Sequence, residues 1–154
     1  MTKTKIHPAE QYAQQVLAGE VLVCEFVTLA VKRYYNDLEN ALDKGWYFDR
    51  KAAIRAIGFI EKLKHTKGKW AGQRFKLESW QQFILWNIFG WMKADGTRRF
   101  RYVYVEIARK NGKSPFASAC IAYMAYLDGE AIAKINIDGS DDWKNVDTAV
   151  EIPQ

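Results

Sequence analysis

Cysteine, histidine and proline are scarce in these 154 residues, with two, two and three copies. Cys24 and Cys120 lie far apart, each in an apolar helical pattern. That placement suits small buried hydrophobes rather than a disulfide or metal framework. With His7 and His65 as the only histidines, a structural zinc site is not supported. Long apolar runs are missing too. Charges or polar groups interrupt every hydrophobic stretch before the roughly 18 residues that a membrane span needs, so no membrane role is expected. The opening Met1-Thr2-Lys3-Thr4-Lys5-Ile6-His7-Pro8 is basic but leads into no apolar block of signal-peptide type. A cytoplasmic location is therefore expected.

What the chain does have is apolar mass and an uneven charge. At 49% apolar it can bury a real core as one domain, or one domain with an arm. Six tryptophans and a 14% aromatic share supply core volume or base-stacking surfaces, and the count alone does not separate the two. The net charge of +5 hides an asymmetry. Residues 128–154 carry Asp128, Glu130, Asp138, Asp141, Asp142, Asp147 and Glu151 against Lys134 and Lys144, a net of −5, which leaves +10 on the first 127 residues. A body this basic attracts polyanions such as nucleic acid, although many soluble domains also have basic surfaces.

Hydrophobic periodicity divides the chain. Residues 8–18 read as a short helix ending at Gly19. From Glu20, apolar residues at Val21, Cys24, Val27, Ala30, Val31, Tyr34, Tyr35, Leu38 and Leu42 recur at three- and four-residue spacing, which predicts an amphipathic helix to near Gly45. Asp49 is a candidate N-cap for a helix through Lys64 that lies antiparallel to it. From Lys64 to Leu77 the pattern gives way to an exposed basic loop rich in glycine. Leu77 to Met92 predicts a third, strongly aromatic helix, closed by a turn at Ala94-Asp95-Gly96-Thr97. Phe100 to Ile107, with aromatic and β-branched residues, predicts a strand, and Lys113 to Leu127 a helix. Ala133 to Ile137 suits one more short strand, and the tail beyond about residue 138 is expected to be weakly ordered. There is no internal repeat.

A strand, a tight loop ending Gly112-Lys113-Ser114 and then a helix is the arrangement a phosphate-binding loop requires. Loop amides and the helix dipole face the anion, Lys113 neutralises β- and γ-phosphate charge, and the Ser114 hydroxyl can ligate magnesium. The standard pattern also wants a glycine five positions before Gly112, where Ile107 stands. Pro115 fits the first helical turn but biases Ser114 away from helical dihedrals. Three letters alone also suit a plain strand-to-helix turn with solvated basic residues.

The wider context is more specific. Ala108-Arg109-Lys110-Asn111-Gly112-Lys113-Ser114 resembles the loop of the phage terminase large subunits, which reads Pro-Arg-Lys-Asn-Gly-Lys-Ser. The stretch Lys67-Gly68-Lys69-Trp70-Ala71-Gly72, then Phe75, Leu77, Glu78, Trp80 and Gln81, then Phe89-Gly90-Trp91 and Asp95 to Arg101, is similar to that family's lead-in. The resemblance covers roughly Glu20 to Glu130. It implies an α/β fold, with N-terminal helices followed by the start of a P-loop NTPase core (strand, phosphate loop, helix). It also implies ATP and magnesium as cofactors, and double-stranded DNA, a terminase small subunit and a portal as partners. Gln81 matches the adenine-recognising glutamine, and Arg109 the loop arginine assigned to γ-phosphate sensing or transition-state charge. Lys110, Asn111 and Gly112 complete the loop, while Lys113 and Ser114 take the phosphate and metal roles. Each position also has a plainer reading. Trp80 suits the core better than a stacking platform, Gln81 also suits a solvated helix surface, and Arg109 a surface charge.

Several positions depart from the family. Ala108 replaces the loop proline, Pro115 a small hydroxyl residue and Ser79 a proline. Beyond residue 130 no acidic Walker B pair, coupling motif or nuclease domain is recognisable. Ile135, Ile137 and Asp138 give only a faint apolar-then-acid pattern, and Asp138, Asp141 and Asp142 suit a solvated acidic turn better than a divalent-ion site. The expectation is the N-terminal part of a terminase large subunit: a helical region with a basic loop over 1–76, a partial ATPase core over 77–137 and an acidic tail over 138–154. Hydrolysis also requires a water-orienting residue and a second metal-holding carboxylate, and no candidate stands out. The rival is a non-catalytic module, or an inactive remnant of the family. In the module, Lys67, Lys69, Arg74 and Lys76, with Arg98, Arg99 and Arg101, touch DNA or a packaging partner.

Overall fold

The computed structural model describes residues 6–66, 68–108 and 111–128. Its elements are α1 (Pro8–Leu17), α2 (Glu25–Asn40), β1 (Trp46–Phe48), α3 (Arg50–Lys62), a single 3-10 turn (Gly68–Trp70), α4 (Ser79–Gly90), β2 (Trp91–Lys93) and α5 (Lys113–Tyr126). Among the described residues the architecture is mixed, helices with one two-stranded antiparallel sheet. No helix among the described residues is long and apolar enough to cross a membrane.

Helix α4, of sequence SWQQFILWNIFG, is apolar on nearly every side. Such a helix has to be enclosed. It packs between α1 and α3, while α2 lies against α1 and α5 against α3. Because α4 can bury two helices at once, it organises the body in place of the expected α2–α3 pair. Trp86, Leu85, Phe89 and the adjoining Trp91 are almost completely enclosed. The indole N–H of Trp86 donates to the Tyr34 hydroxyl at 3.0 Å, so neither buried polar group is orphaned. From α5, Tyr123 meets Phe89 edge to face at 4.8 Å between ring centroids.

Asp49 caps α3 as expected, its carboxylate accepting from the Lys51 and Ala52 amides at 2.9 and 3.0 Å. Helix α5 also matches its expected span to within a residue. The turn closing β2 has Gly96 at φ +80° and the Asp95 carboxylate accepting from the Thr97 amide at 2.9 Å.

The boundaries of α2 differ from expectation. Gly19 adopts φ +74°, the chain stays irregular to Cys24, and the helix ends at Asn40 before a turn at Gly45. Periodicity ran through both ends because apolar residues recur at helical spacing in the flanking turns. Cys24 is correspondingly exposed at the start of α2, not buried, whereas Cys120 is partly enclosed; both are free thiols.

The strands also differ. Trp46–Phe48 pairs with Trp91–Lys93 in the register Trp46↔Lys93, Tyr47↔Met92 and Phe48↔Trp91. Three-residue strands are too short to show alternation, and this pair joins segments far apart in sequence. Gly90 belongs to the same arrangement, since a Cβ there would enter the Phe48 ring. The expected strand from Phe100 to Ile107, by contrast, forms no ladder. Its residues are irregular and mostly exposed, with Tyr102 at 89% and Tyr104 at 81%. Aromatic and β-branched composition favours an extended chain, but a strand also needs a hydrogen-bonding neighbour, and none pairs with it among the described residues. The expected strand at Ala133–Ile137 and the acidic tail lie outside the described residues.

Candidate functional site

Helix α5 starts on Gly112, which adopts φ +74° and ψ +18°. This left-handed conformation favours glycine and swings the chain directly into the helix. The Gly112 carbonyl accepts the first helical bond, from the Phe116 amide at 3.1 Å, and no side chain caps the helix start. The amides ahead of that bond, together with the dipole, make this end attractive to an anion. Pro115 falls in the first turn, where a missing N–H leaves nothing unsatisfied. Ser114 is helical despite preceding a proline, so the expected bias away from helix is overridden here. Asn111, Gly112, Lys113 and Ser114 are all exposed. Arg109 and Lys110 lie outside the described residues.

Gln81 stands one turn into α4. Its side-chain oxygen accepts from the Glu78 amide at 2.9 Å, closing the start of its own helix. Trp80 is half-buried and packs towards Phe116 of α5, 6.4 Å between ring centroids, in keeping with a core role.

The fold brings Gln81 and Gly112 together, although they are 31 positions apart in sequence. Both line a groove of about 190 Å³, shared with His65, Phe75, Lys76, Glu78, Pro115 and Phe116. His65 and Phe75 come from the basic loop, which is more ordered than its composition suggests. Lys64 and Arg74 form an antiparallel bridge. The His65 amide donates to the Gln73 carbonyl at 2.9 Å, the Gly72 amide to the His65 carbonyl at 2.8 Å, and the Phe75 amide to the Leu63 carbonyl at 2.9 Å. The two rings stack at 4.1 Å and 14°. Sequence reasoning gave neither residue a site role, placing Phe75 only in the family-like lead-in and His65 only in the basic loop. The available signal was an aromatic side chain on each side of a glycine-containing turn.

A larger groove of about 290 Å³ lies away from Gly112, between α1, α2 and α3, with Glu10, Tyr34, Tyr35 and Arg50 in its lining. Its charged groups, Glu10 and Arg50, pair with each other. It is remote from every anion-attracting feature described above. The smaller groove is the candidate site.

The basic residues divide into two sets. Lys69, Arg74 and Lys76 are exposed as expected. Arg98 and Arg99 instead turn inward, contrary to the expected basic contact surface. Arg98 pairs with Asp128 at 2.7 Å, both nearly buried. Arg99 pairs with Asp37 at 2.7 Å and lies over the Trp46 ring at 3.6 Å. Only Arg101 of that trio is exposed. Among the described residues no group of three or more His, Cys, Asp or Glu side chains gathers to hold a metal ion.

Over residues 79–143 the chain matches the family model of an ATPase domain. The family is described as Terminase large subunit, ATPase domain, and it is this segment of the chain that is similar to it. The match begins at α4, well after the Glu20 start of the sequence resemblance, and continues 13 residues past its end at Glu130. No curated protein and no solved structure matches the chain.

Proposed function

We propose that this chain binds ATP with magnesium in the groove between α4 and α5, as part of the motor that packages viral DNA into proheads. The observation that carries it is the meeting of Gln81 and Gly112 in one groove. These are the base-side and phosphate-side positions that the terminase resemblance assigns, and nothing in the local sequence requires them to share a groove. The uncapped start of α5 offers backbone amides to the phosphates, with Lys113 as the neutralising cation and Arg109, Lys110 and Asn111 completing the loop. Because the Gln81 oxygen is held by Glu78, its amide nitrogen is the group left to donate to a ring nitrogen of the base.

Ser114 is the side chain suited to hold magnesium, which when bound would supply positive charge to offset that of the phosphates. Double-stranded DNA, a terminase small subunit and a portal are the partners this role implies. In this reading residues 1–76 are a helical region with its basic loop, 77–137 the ATPase part and 138–154 an acidic tail.

Titration of a non-hydrolysable ATP analogue with magnesium, against wild type and Lys113→Ala, tests the proposal. Saturable binding that weakens at least about ten-fold in the variant, a loss of roughly 1.4 kcal/mol, is the expected result. Equal binding, or none in either protein, would remove it. A salt-dependent DNA shift untouched by Lys113→Ala would then favour a non-catalytic module.

A further inference from the structure

We infer that the two sides of the hairpin bridged at Lys64 and Arg74, residues 64–66 and 72–75, supply the base-side wall of this site, with the stacked rings of His65 and Phe75 taking the flat face of the base of a nucleoside triphosphate. The inference rests on the nucleotide-binding reading and adds to it the residues that hold the base.

Three observations carry it. First, the two rings already lie parallel, 4.1 Å apart at 14°, forming a flat aromatic platform in the wall of the groove that also holds Gln81 and Gly112. A base extends such a stack without reorganising it, and the contact is tolerant of base identity because every base has a π face. Second, the other aromatic rings near the groove are committed. Trp80, the neighbour of Gln81, packs into the core, and Phe116 is 6% exposed. Third, the platform is held by backbone register and not by side-chain chance. The amides of His65, Gly72 and Phe75 are all bonded across the hairpin or to its base, and Gly72 takes φ +81° to make the turn. Pre-ordering of this kind lowers the entropy lost when a ligand stacks. The division of labour is then clear: the hairpin holds the base by its face, Gln81 meets its edge, and the start of α5 holds the phosphates.

The test compares two probes on the full chain, a non-hydrolysable ATP analogue and inorganic triphosphate, each with magnesium. Wild type is expected to bind the nucleotide more tightly than triphosphate. Phe75→Ala is expected to weaken the nucleotide about ten-fold or more while leaving triphosphate unchanged, and Phe75→Trp to restore it. Lys113→Ala is expected to weaken both. His65→Ala, which removes the other ring of the platform, gives the same pattern if Phe75→Ala fails to fold. Nucleotide affinity unchanged in both platform variants, or loss of both probes in parallel in folded protein, would overturn the platform. Wild type binding triphosphate as tightly as nucleotide would overturn it while leaving the phosphate loop standing. Wild type binding neither would overturn both.

Discussion

Cys120 and Cys24 show how far environment separates two chemically identical side chains. Burial in α5 pushes the Cys120 thiol up to about 12, from an ordinary 9.0, whereas Cys24 is exposed. Since the thiolate is the nucleophile, Cys24 is expected to alkylate with iodoacetamide at mildly alkaline pH at least about ten-fold faster than Cys120 in folded protein. Peptide mapping by mass spectrometry reads the two rates, and comparable labelling would contradict the burial of α5. Burial likewise raises the Tyr34 hydroxyl to about 12, only partly offset by its bond from Trp86. Both groups fold more readily in their protonated forms. The stability they contribute is therefore complete below their ordinary values and is lost as pH rises towards 12. At this scale Asp49 was legible as a cap because its partners are two and three residues away. Asp37 was not: its partner Arg99 is 62 residues distant.

Helix α1 has its own titrating start. His7 Nδ1 accepts from the Ala9 amide at 3.2 Å, and the Glu10 carboxylate accepts from the His7 amide at 3.2 Å. The His7 ring also stacks on Trp86, 4.5 Å between centroids. Burial, reinforced by Arg50 and opposed by Glu10, lowers the His7 pKa below 6.5. A histidine depressed in the folded state binds fewer protons there than in the unfolded chain. Its contribution is thus present above 6.5 and is lost as pH falls through the lower folded value. Protonation also removes the Nδ1 acceptor, so the loss is expected to reach about 1 kcal/mol, the usual worth of a cap. Urea unfolding on either side of pH 6.5 measures it, with His7→Asn as the control that keeps a capping acceptor and does not titrate. If the two proteins show the same pH slope, His7 is not the group responsible. The helix spans themselves were largely readable, since the i to i+4 pattern is local. The ends of α2 were not, because apolar residues in the adjoining turns continue its rhythm without its backbone.

For the whole molecule, two adjacent arginines bind the segment after β2 to separate parts of the body. Arg98 reaches Asp128 just beyond α5, and Arg99 reaches Asp37 on α2. The pair at Asp37 is nearly buried and is joined by Lys44 at 3.6 Å. Removing one partner of such a pair leaves the other charge enclosed, so Asp37→Ala is expected to cost about 3 kcal/mol or more in denaturant unfolding. Adding Arg99→Ala is expected to recover part of that loss, and strictly additive losses in the double-mutant cycle would show that the two charges do not interact.

The sequence by itself determined, to within about two residues, the helix spans other than that of α2, the Gly112 helix start and the terminase resemblance, now supported over 79–143. Each depends on neighbours within a turn or two, or on ordered phrases along the chain. Tertiary structure decided the β1–β2 pairing, the inward course of Arg98 and Arg99, and the groove where His65, Phe75, Gln81 and Gly112 meet. Those features depend on which distant segments α4 gathers around itself. That is settled by the burial of a largely apolar helix among segments distant in sequence, and the pairing of those segments is not encoded locally.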